Sequence, residues 1–106
     1  MLLIGNQIRL TRAILAAAVN RRHLPMIATL ARQQVEAGAG WLLVDMGPQR
    51  RDAADDMAWL VGAIHDEVRV PLVLRSDDPE TVTAGLKVAK ARVLIDATLP
   101  GVADLE

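Results

Sequence analysis

The segment Trp41-Leu42-Leu43-Val44-Asp45-Met46-Gly47-Pro48 is an apolar run that ends in one acid and a Gly-Pro pair. Its side chains do not alternate between apolar and polar, which is typical of a strand buried on both faces of a sheet. Three more segments repeat the pattern of an apolar run stopped by glycine or a charged residue: Leu2–Gly5, Val70–Arg75 and Arg92–Asp96. The sequence therefore predicts four short buried strands, with Pro71 tolerated because it stands near a strand start.

Helical spacing appears between the second and third predicted strands. Apolar residues recur there at i, i+3, i+4, i+7 and i+11, which forms one stripe along a helix. Asp52, Asp55 and Asp56 cluster around the first turn, where the helix dipole favours carboxylates. The stripe consists of Met57, Leu60, Val61, Ile64 and Val68.

Three further helices are predicted from capping residues and composition. Asp78-Pro79 places an N-cap acceptor before a proline at the first helical position, which predicts a helix over 79–89 with Val82 and Leu86 on one face. Pro25 begins another helix, which Gly38 ends in a left-handed conformation. In that helix Met26, Leu30 and Ala37 are predicted to point inward, and Arg32, Gln33 and Glu36 outward. An Ala-rich helix from about Thr11 to Asn20 precedes it.

The resulting order, βα(α)βαβαβ, is that of an α/β protein with parallel strands joined by right-handed crossovers. We expect residues 1–106 to form a single domain. Modules of this kind normally continue to eight strands and close into a barrel of about 250 residues, or open into a doubly wound sheet. Four strands therefore correspond to about half of one of these two folds.

The composition excludes several classes of protein. With 12 basic and 13 acidic side chains the net charge is −1, which does not favour a nucleic-acid-binding module, and two Trp without Phe or Tyr leave little on which bases could stack. The absence of cysteine excludes disulfides and thiol chemistry. No apolar run approaches the length of a membrane span. A cytoplasmic protein that binds neither nucleic acid nor membrane is the expectation.

Polar residues at the strand ends are the candidate site, because ligands of parallel βα folds bind beyond the carboxyl ends of the strands. Four segments meet there: Gly5–Arg9, Asp45–Pro48, Arg75–Asp78 and Asp96–Thr98. Asn6, Asp45, Arg75 and Asp96 supply an amide, two carboxylates and a guanidinium that could bind an acidic or amide-bearing ligand. The alternative is purely structural: Arg75 pairs with Asp45 or Asp96, and Asp78 only caps a helix.

Other reactive groups suggest no further chemistry. His23 and His65 match no metal-ligand spacing, and both are predicted to be surface residues. Ser76 is the only serine and has no base near it in the sequence, so no nucleophile is predicted. Gly38-Ala39-Gly40 precedes a strand instead of opening a helix, which argues against a nucleotide-binding loop.

Several segments together resemble the methyltetrahydrofolate-dependent corrinoid methyltransferases, a group that includes the pterin-binding barrel of cobalamin-dependent methionine synthase. The resemblance extends from Met1 to about Thr98. The segments are Met1–Gly5, Ala31–Gln33, Glu36–Ala39, Val44–Pro48, Met57–Val61, Val70–Leu72 and Ala84–Lys87, the most specific being Met57-Ala58-Trp59-Leu60-Val61 and Ala84-Gly85-Leu86-Lys87. Known members are (βα)₈ barrels that bind the pterin in the barrel mouth and pass its methyl group to a corrinoid on a partner protein. The resemblance therefore implies that this α/β chain is the N-terminal half of a (βα)₈ TIM barrel of the pterin-binding type.

The resemblance implies pterin-binding positions, of which most carry a different residue here. Members of the family have the motif Gly-Glu-Arg-Ile-Asn after the first strand, where this chain has Gly5-Asn6-Gln7-Ile8-Arg9. An acid of the second strand is Leu43, and the asparagine two residues later is Asp45. Arg75 replaces an aspartate that hydrogen-bonds the pterin, and Asp96 replaces a pterin-contacting asparagine. The implied pterin-binding residues are Asn6, Asp45, Arg75, Ser76 and Asp96, with no catalytic residue and no metal ligand assigned.

The expected function follows from this partial match. The chain is predicted to be a pterin-binding-like domain related to enzymes that move a methyl group from methyltetrahydrofolate to a corrinoid protein, and to be inactive alone. The alternatives are a non-catalytic half-barrel that binds or assembles with a larger partner or itself, and a small enzyme acting on an anionic ligand. Because Leu2–Ile4 and Val93–Ile95 are apolar edge strands, we expect a homo-oligomer, such as a homodimer pairing the first strand of each copy with the fourth of the other, or a partner-completed barrel.

Overall fold

The computed structural model describes residues 4–47 and 51–95. In chain order the elements are strand β1 (Ile4–Arg9), helices α1 (Ala13–Asn20) and α2 (Leu24–Glu36), strand β2 (Trp41–Asp45), helix α3 (Ala53–Glu67), strand β3 (Leu72–Arg75), helix α4 (Pro79–Val88) and strand β4 (Val93–Ile95). The strands form one parallel sheet in the order β1-β2-β3-β4. This confirms the predicted α/β class, and the arrangement is consistent with half of a parallel βα barrel. Over these two ranges, no helix is long and apolar enough to cross a membrane.

The core lies between the sheet and α3. Neighbouring rows of the sheet align Leu42 with Leu72 and Val44 with Leu74, and all four side chains are fully buried. The predicted stripe of α3 is confirmed for its first four members, which are also fully buried: Met57, Leu60, Val61 and Ile64. Val68 lies just past the end of the helix and is partly buried. Burying each of these side chains stabilises the fold by about 1.5–3 kcal/mol.

The inward face of α2 differs from the prediction. Ile27, Ala31 and Gln34 are buried, whereas Met26 and Leu30 pack only at the margin of the core. Ala37 is exposed because it caps the end of the helix. The predicted stripe is therefore rotated by one residue, about 100° around the helix axis. The outward positions of Arg32, Gln33 and Glu36 and the left-handed Gly38 (φ 108°) are confirmed.

Helix α4 packs closely on α3 at Gly85. A Cβ atom at this position would lie 2.8 Å from Met57 Cγ and 2.9 Å from Leu74 Cδ1, so only glycine permits this approach. The close contact orients α4 so that Thr81, Val82 and Gly85 face inward. The prediction that Leu86 shares the buried face of Val82 is wrong, since Leu86 is 42% exposed.

Strand β1 extends further than its sequence suggested. The predicted strand stopped at Gly5, but the observed one continues through Asn6 and Gln7 to Arg9. The register to β2 shifts between Gly5 and Ile8, which marks a β-bulge that accommodates the polar residues. Gln34 of α2 stabilises the bulge, because its buried Oε1 accepts a 3.0 Å hydrogen bond from the Gln7 backbone N–H. The positions of Leu2 and Leu3 lie outside the described residues.

His65 is buried, and its predicted surface position is therefore wrong. Its Nδ1 accepts a 2.9 Å hydrogen bond from the Lys90 backbone N–H, so the ring proton lies on Nε2, which is 2.9 Å from the Val70 carbonyl oxygen. The ring thus joins α3 to the segments that enter β3 and β4. Nearby, Lys90 Nζ lies 2.6 Å from Asp66 Oδ1 and holds the pKa of that exposed carboxyl below its usual 3.8. The surface position of His23 is confirmed.

Candidate functional site at the strand ends

Three charged residues form one row across the sheet at the carboxyl ends of the first three strands. The parallel register places Arg9 beside Asp45 and Asp45 beside Arg75. Neighbouring strands are separated by about 4.8 Å, so the backbones of the two arginines each lie about that far from Asp45 and about twice as far from each other. The hydrogen-bonded ladder continues one residue further, since Leu10 N–H donates to Asp45 O and Met46 N–H to Arg75 O. The row therefore lies on regular backbone.

Asp45 is the centre of this row and is largely buried. Its Oδ1 accepts a 2.9 Å hydrogen bond from Gly47 N–H, and its Oδ2 lies 3.4 Å from Arg75 Nη1. The structural prediction that Arg75 pairs with Asp45 is confirmed. The exposed fractions of the two side chains are 13% for Asp45 and 41% for Arg75, so the ion pair has an inner carboxylate and an outer guanidinium.

Gly47 follows the row in a left-handed conformation with φ 69°. A Cβ there would lie 3.1 Å from Thr11 N and 3.2 Å from the Leu10 carbonyl carbon. The segment after β2 therefore passes directly against the β1–α1 connection, and this close approach aims the Gly47 N–H at Asp45. The Gly-Pro signal of the sequence marked this turn but not its contact with Asp45.

Ser76 and Asp78 build the turn from β3 into α4. Ser76 is buried, and its Oγ accepts a hydrogen bond from Asp78 N–H at 3.2 Å. Asp78 in turn accepts from Glu80 N–H at 3.2 Å and from Thr81 Oγ1 at 2.9 Å, which confirms its predicted capping role. The hydroxyl of Ser76 is thus engaged in local structure beside Arg75.

Asn6 does not lie at the carboxyl end of its strand. It stands in the bulge of β1, three residues before Arg9, and its Oδ1 accepts a 3.2 Å hydrogen bond from Gln7 Nε2. It lines an open groove between β1 and α2 together with Leu30 and Gln33. The structure therefore brings together Asp45, Arg75 and Ser76 but not Asn6, and Asp96 lies outside the described residues.

Arg9 is the member of the row that the sequence interpretation did not single out. Its Nε is buried and has no hydrogen-bond partner within residues 4–47 and 51–95. The sequence signal was present in Ile8, since an apolar residue buried on one face of a strand places the next side chain on the opposite face. The row thus combines two guanidiniums with one carboxylate, a donor-rich arrangement suited to oxygen acceptors. No group of three or more potential metal ligands occurs in the part of the chain that the structure describes.

Comparison with known proteins finds a distant similarity to a methyltransferase. No family model matches the chain. The chain is 25% identical over 97 residues to a methylcorrinoid:tetrahydrofolate methyltransferase of Eubacterium limosum, a match that covers 92% of this chain. It spans 36% of the length of that relative. A distant relationship to this methyltransferase is therefore supported, in agreement with the resemblance seen in the sequence.

Proposed function

We propose that this chain is a pterin-binding-like half-barrel domain, related to enzymes that move a methyl group between tetrahydrofolate and a corrinoid on a partner protein. The observation that supports the proposal is the similarity to the methyltransferase over almost the whole chain. The charged row lies at the end of the sheet where parallel βα folds bind their ligands. In the relative, as its name states, the methylcorrinoid is the methyl donor and tetrahydrofolate the acceptor. The test therefore covers methyl transfer to tetrahydrofolate as well as from methyltetrahydrofolate.

Asp45 and Arg75 are the proposed centre of the pterin site. An ionised carboxylate only accepts hydrogen bonds and a guanidinium only donates them, so the pair matches a ring edge that carries both an N–H and an oxygen or nitrogen acceptor. Ser76 and Asp96 complete the proposed contact set, whereas Asn6, away from the row, contributes least. Arg75 stands where the resemblance implies an aspartate. A pterin donor left without its acceptor there costs about 1–3 kcal/mol.

Calorimetric titration with tetrahydrofolate and with methyltetrahydrofolate tests the proposal. We expect saturable but weak binding, with a Kd well above about 1 μM, which corresponds to less than about 8 kcal/mol of binding free energy. Asp45→Ala is expected to lower the affinity at least about tenfold, since a charge-assisted hydrogen bond contributes about 1.5–3 kcal/mol. Asp66→Ala, which removes an exposed carboxylate of α3, is the matched control and should bind normally.

We also expect no methyl transfer to or from a corrinoid protein by the 106-residue chain alone, because Arg75 presents only donors to a pterin edge that also requires an acceptor. The absence of saturable folate binding, or an unchanged affinity of Asp45→Ala, would contradict a pterin site. A Kd at or below micromolar would show instead that these four strands bind the pterin without further contacts.

A second candidate function is a non-catalytic subunit that assembles with itself or with a larger partner. Exposed apolar side chains on the last two described elements favour it, namely Leu86 and Val88 of α4 and Leu94 and Ile95 of β4. Such residues are typical of contact surfaces when they are contiguous. The oligomeric state of the chain in solution tests this function.

A further inference from the structure

Among the described residues at the strand ends, Arg9 has a buried Nε without a hydrogen-bond partner. Almost all buried donors in folded proteins are hydrogen-bonded, and a donor without a partner costs about 1–3 kcal/mol, more when it is charged. The β-strand backbone fixes the position of Arg9, so its buried Nε–H still needs a hydrogen-bond acceptor.

Asp45, the neighbour of Arg9 in the row, already has two partners. Its Oδ1 accepts from Gly47 N–H and its Oδ2 faces Arg75 Nη1, so both carboxylate oxygens are engaged away from Arg9. Two guanidiniums thus flank a single carboxylate in the row. Because the described residues supply no acceptor to Arg9 Nε, a negatively charged group of a ligand is the acceptor that fits it best.

We infer that Arg9 is the principal contact of an oxyanion site at the carboxyl ends of the strands, with the half-exposed guanidinium of Arg75 as a second contact. The ligand class is a molecule with a carboxylate or phosphate group, because planar guanidiniums bind these oxyanions through pairs of charge-assisted hydrogen bonds. Arg9 lies two strands away from Arg75, so the anion would lie across the face of Asp45.

This inference rests on the proposed function only for the location of the ligand at the strand ends. It concerns Arg9 and an anionic group, whereas the pterin proposal rests on the acceptor of Asp45. The two can fail separately. The phosphate and succinate probes contain no pterin, and Asp45→Ala is expected to weaken the binding of folates but not that of a pterin-free anion.

The test is a titration of the ¹⁵N-labelled chain with inorganic phosphate and, separately, with succinate, at constant ionic strength maintained with chloride. The Arg9 Nε–H resonance reports any change in the hydrogen bonding of the guanidinium. We expect a saturable shift of this resonance with at least one of the two probes, and the preferred probe identifies the phosphate or carboxylate class. Arg9→Gln is expected to weaken the binding of that probe about tenfold or more.

Two further variants make the result specific. Arg92→Gln removes the same charge from the opposite end of the sheet, where Arg92 lies over the Trp41 ring, and should leave the affinity unchanged. Asp45→Asn keeps the acceptor for Gly47 N–H but removes the negative charge beside the site, and should strengthen anion binding severalfold. The absence of a saturable shift with both probes, or equal affinity in Arg9→Gln and the unmodified chain, would overturn the inference.

Discussion

At the scale of single residues, the ion pair between Asp45 and Arg75 is the contact that a mutation can isolate. Arg75→Leu leaves the largely buried Asp45 carboxylate with the Gly47 N–H as its hydrogen-bond donor, so we expect a loss of stability. Because the guanidinium is 41% exposed, solvent screening limits the coupling to about 0.5–1 kcal/mol. A double-mutant cycle with Asp45→Asn, measured by urea unfolding, gives this value directly. Additive effects of the two substitutions would show that the charges act independently.

His65 is expected to contribute more to stability than this ion pair. His65→Leu introduces an apolar side chain of similar size. It leaves the Lys90 N–H and the Val70 carbonyl without their partner. Because these two bonds are only partly buried, each lost bond is expected to cost about 1–2 kcal/mol, so we expect a loss of about 2–4 kcal/mol in urea unfolding. His23→Leu removes only an exposed cap with a 3.4 Å bond and should cost less than about 1 kcal/mol. Equal stability of the His65 and His23 variants would contradict the role of the buried ring.

The burial of His65 could have been predicted, while its partners could not. It lies four residues after Val61, so the same helical spacing that identified the stripe also places it on the inner face of α3. Its two hydrogen bonds reach backbone groups whose positions depend on how β3 and β4 join the sheet. Arg9 is similar: its face follows from Ile8, but its lack of a partner depends on the contacts of Asp45.

At the scale of elements, Gly85 tests how α4 is positioned. Gly85→Ala adds a Cβ within 3 Å of Met57 Cγ and Leu74 Cδ1, and overpacking of this kind costs about 1–3 kcal/mol. The gain in helix propensity, about 1 kcal/mol, offsets part of it, so we expect a net loss of up to about 2 kcal/mol. Gly62→Ala in α3 is the matched control, because no atom lies within 4 Å of its added Cβ, and it should stabilise the protein. Stabilisation by both substitutions in thermal unfolding would show that α4 is free to move away.

The existence and order of the elements could be predicted from the sequence, because apolar runs and helical stripes record which segments are buried. The rotation of α2 could not, since Met26 and Leu30 are about as apolar as the truly buried Ile27 and Ala31. The length of β1 could not be predicted from the sequence either. Its polar residues indicate a loop, and they remain in the strand because a bulge and the amide of Gln34 accommodate them. Contacts between distant segments decided both points.

At the scale of the whole molecule, the two edges of the sheet are unequal. The prediction of a dimer that pairs β1 of one copy with β4 of the other assumed two apolar edges. Strand β1 instead carries Asn6 and Gln7 in a bulge, and the Gln7 N–H already donates a hydrogen bond to Gln34. Both features hinder pairing with another strand. Within residues 93–95, strand β4 shows no such feature: Leu94 and Ile95 are 46% and 48% exposed, and Leu86 of α4 is also exposed.

We therefore expect the chain to associate through β4 and α4. In a dimer with two-fold symmetry the same surface meets itself, so β4 would pair antiparallel with its copy and the exposed leucines would become buried. Sedimentation equilibrium at micromolar concentration should show a species of twice 11.5 kDa. Leu94→Lys places a charge on the edge strand and should shift the mass to that of the monomer. Ile14→Lys changes an equally exposed residue of α1 and should leave the dimer intact. A single species of 11.5 kDa that unfolds cooperatively would contradict the expectation, because it would show that the exposed edge of β4 is stable in water without a partner.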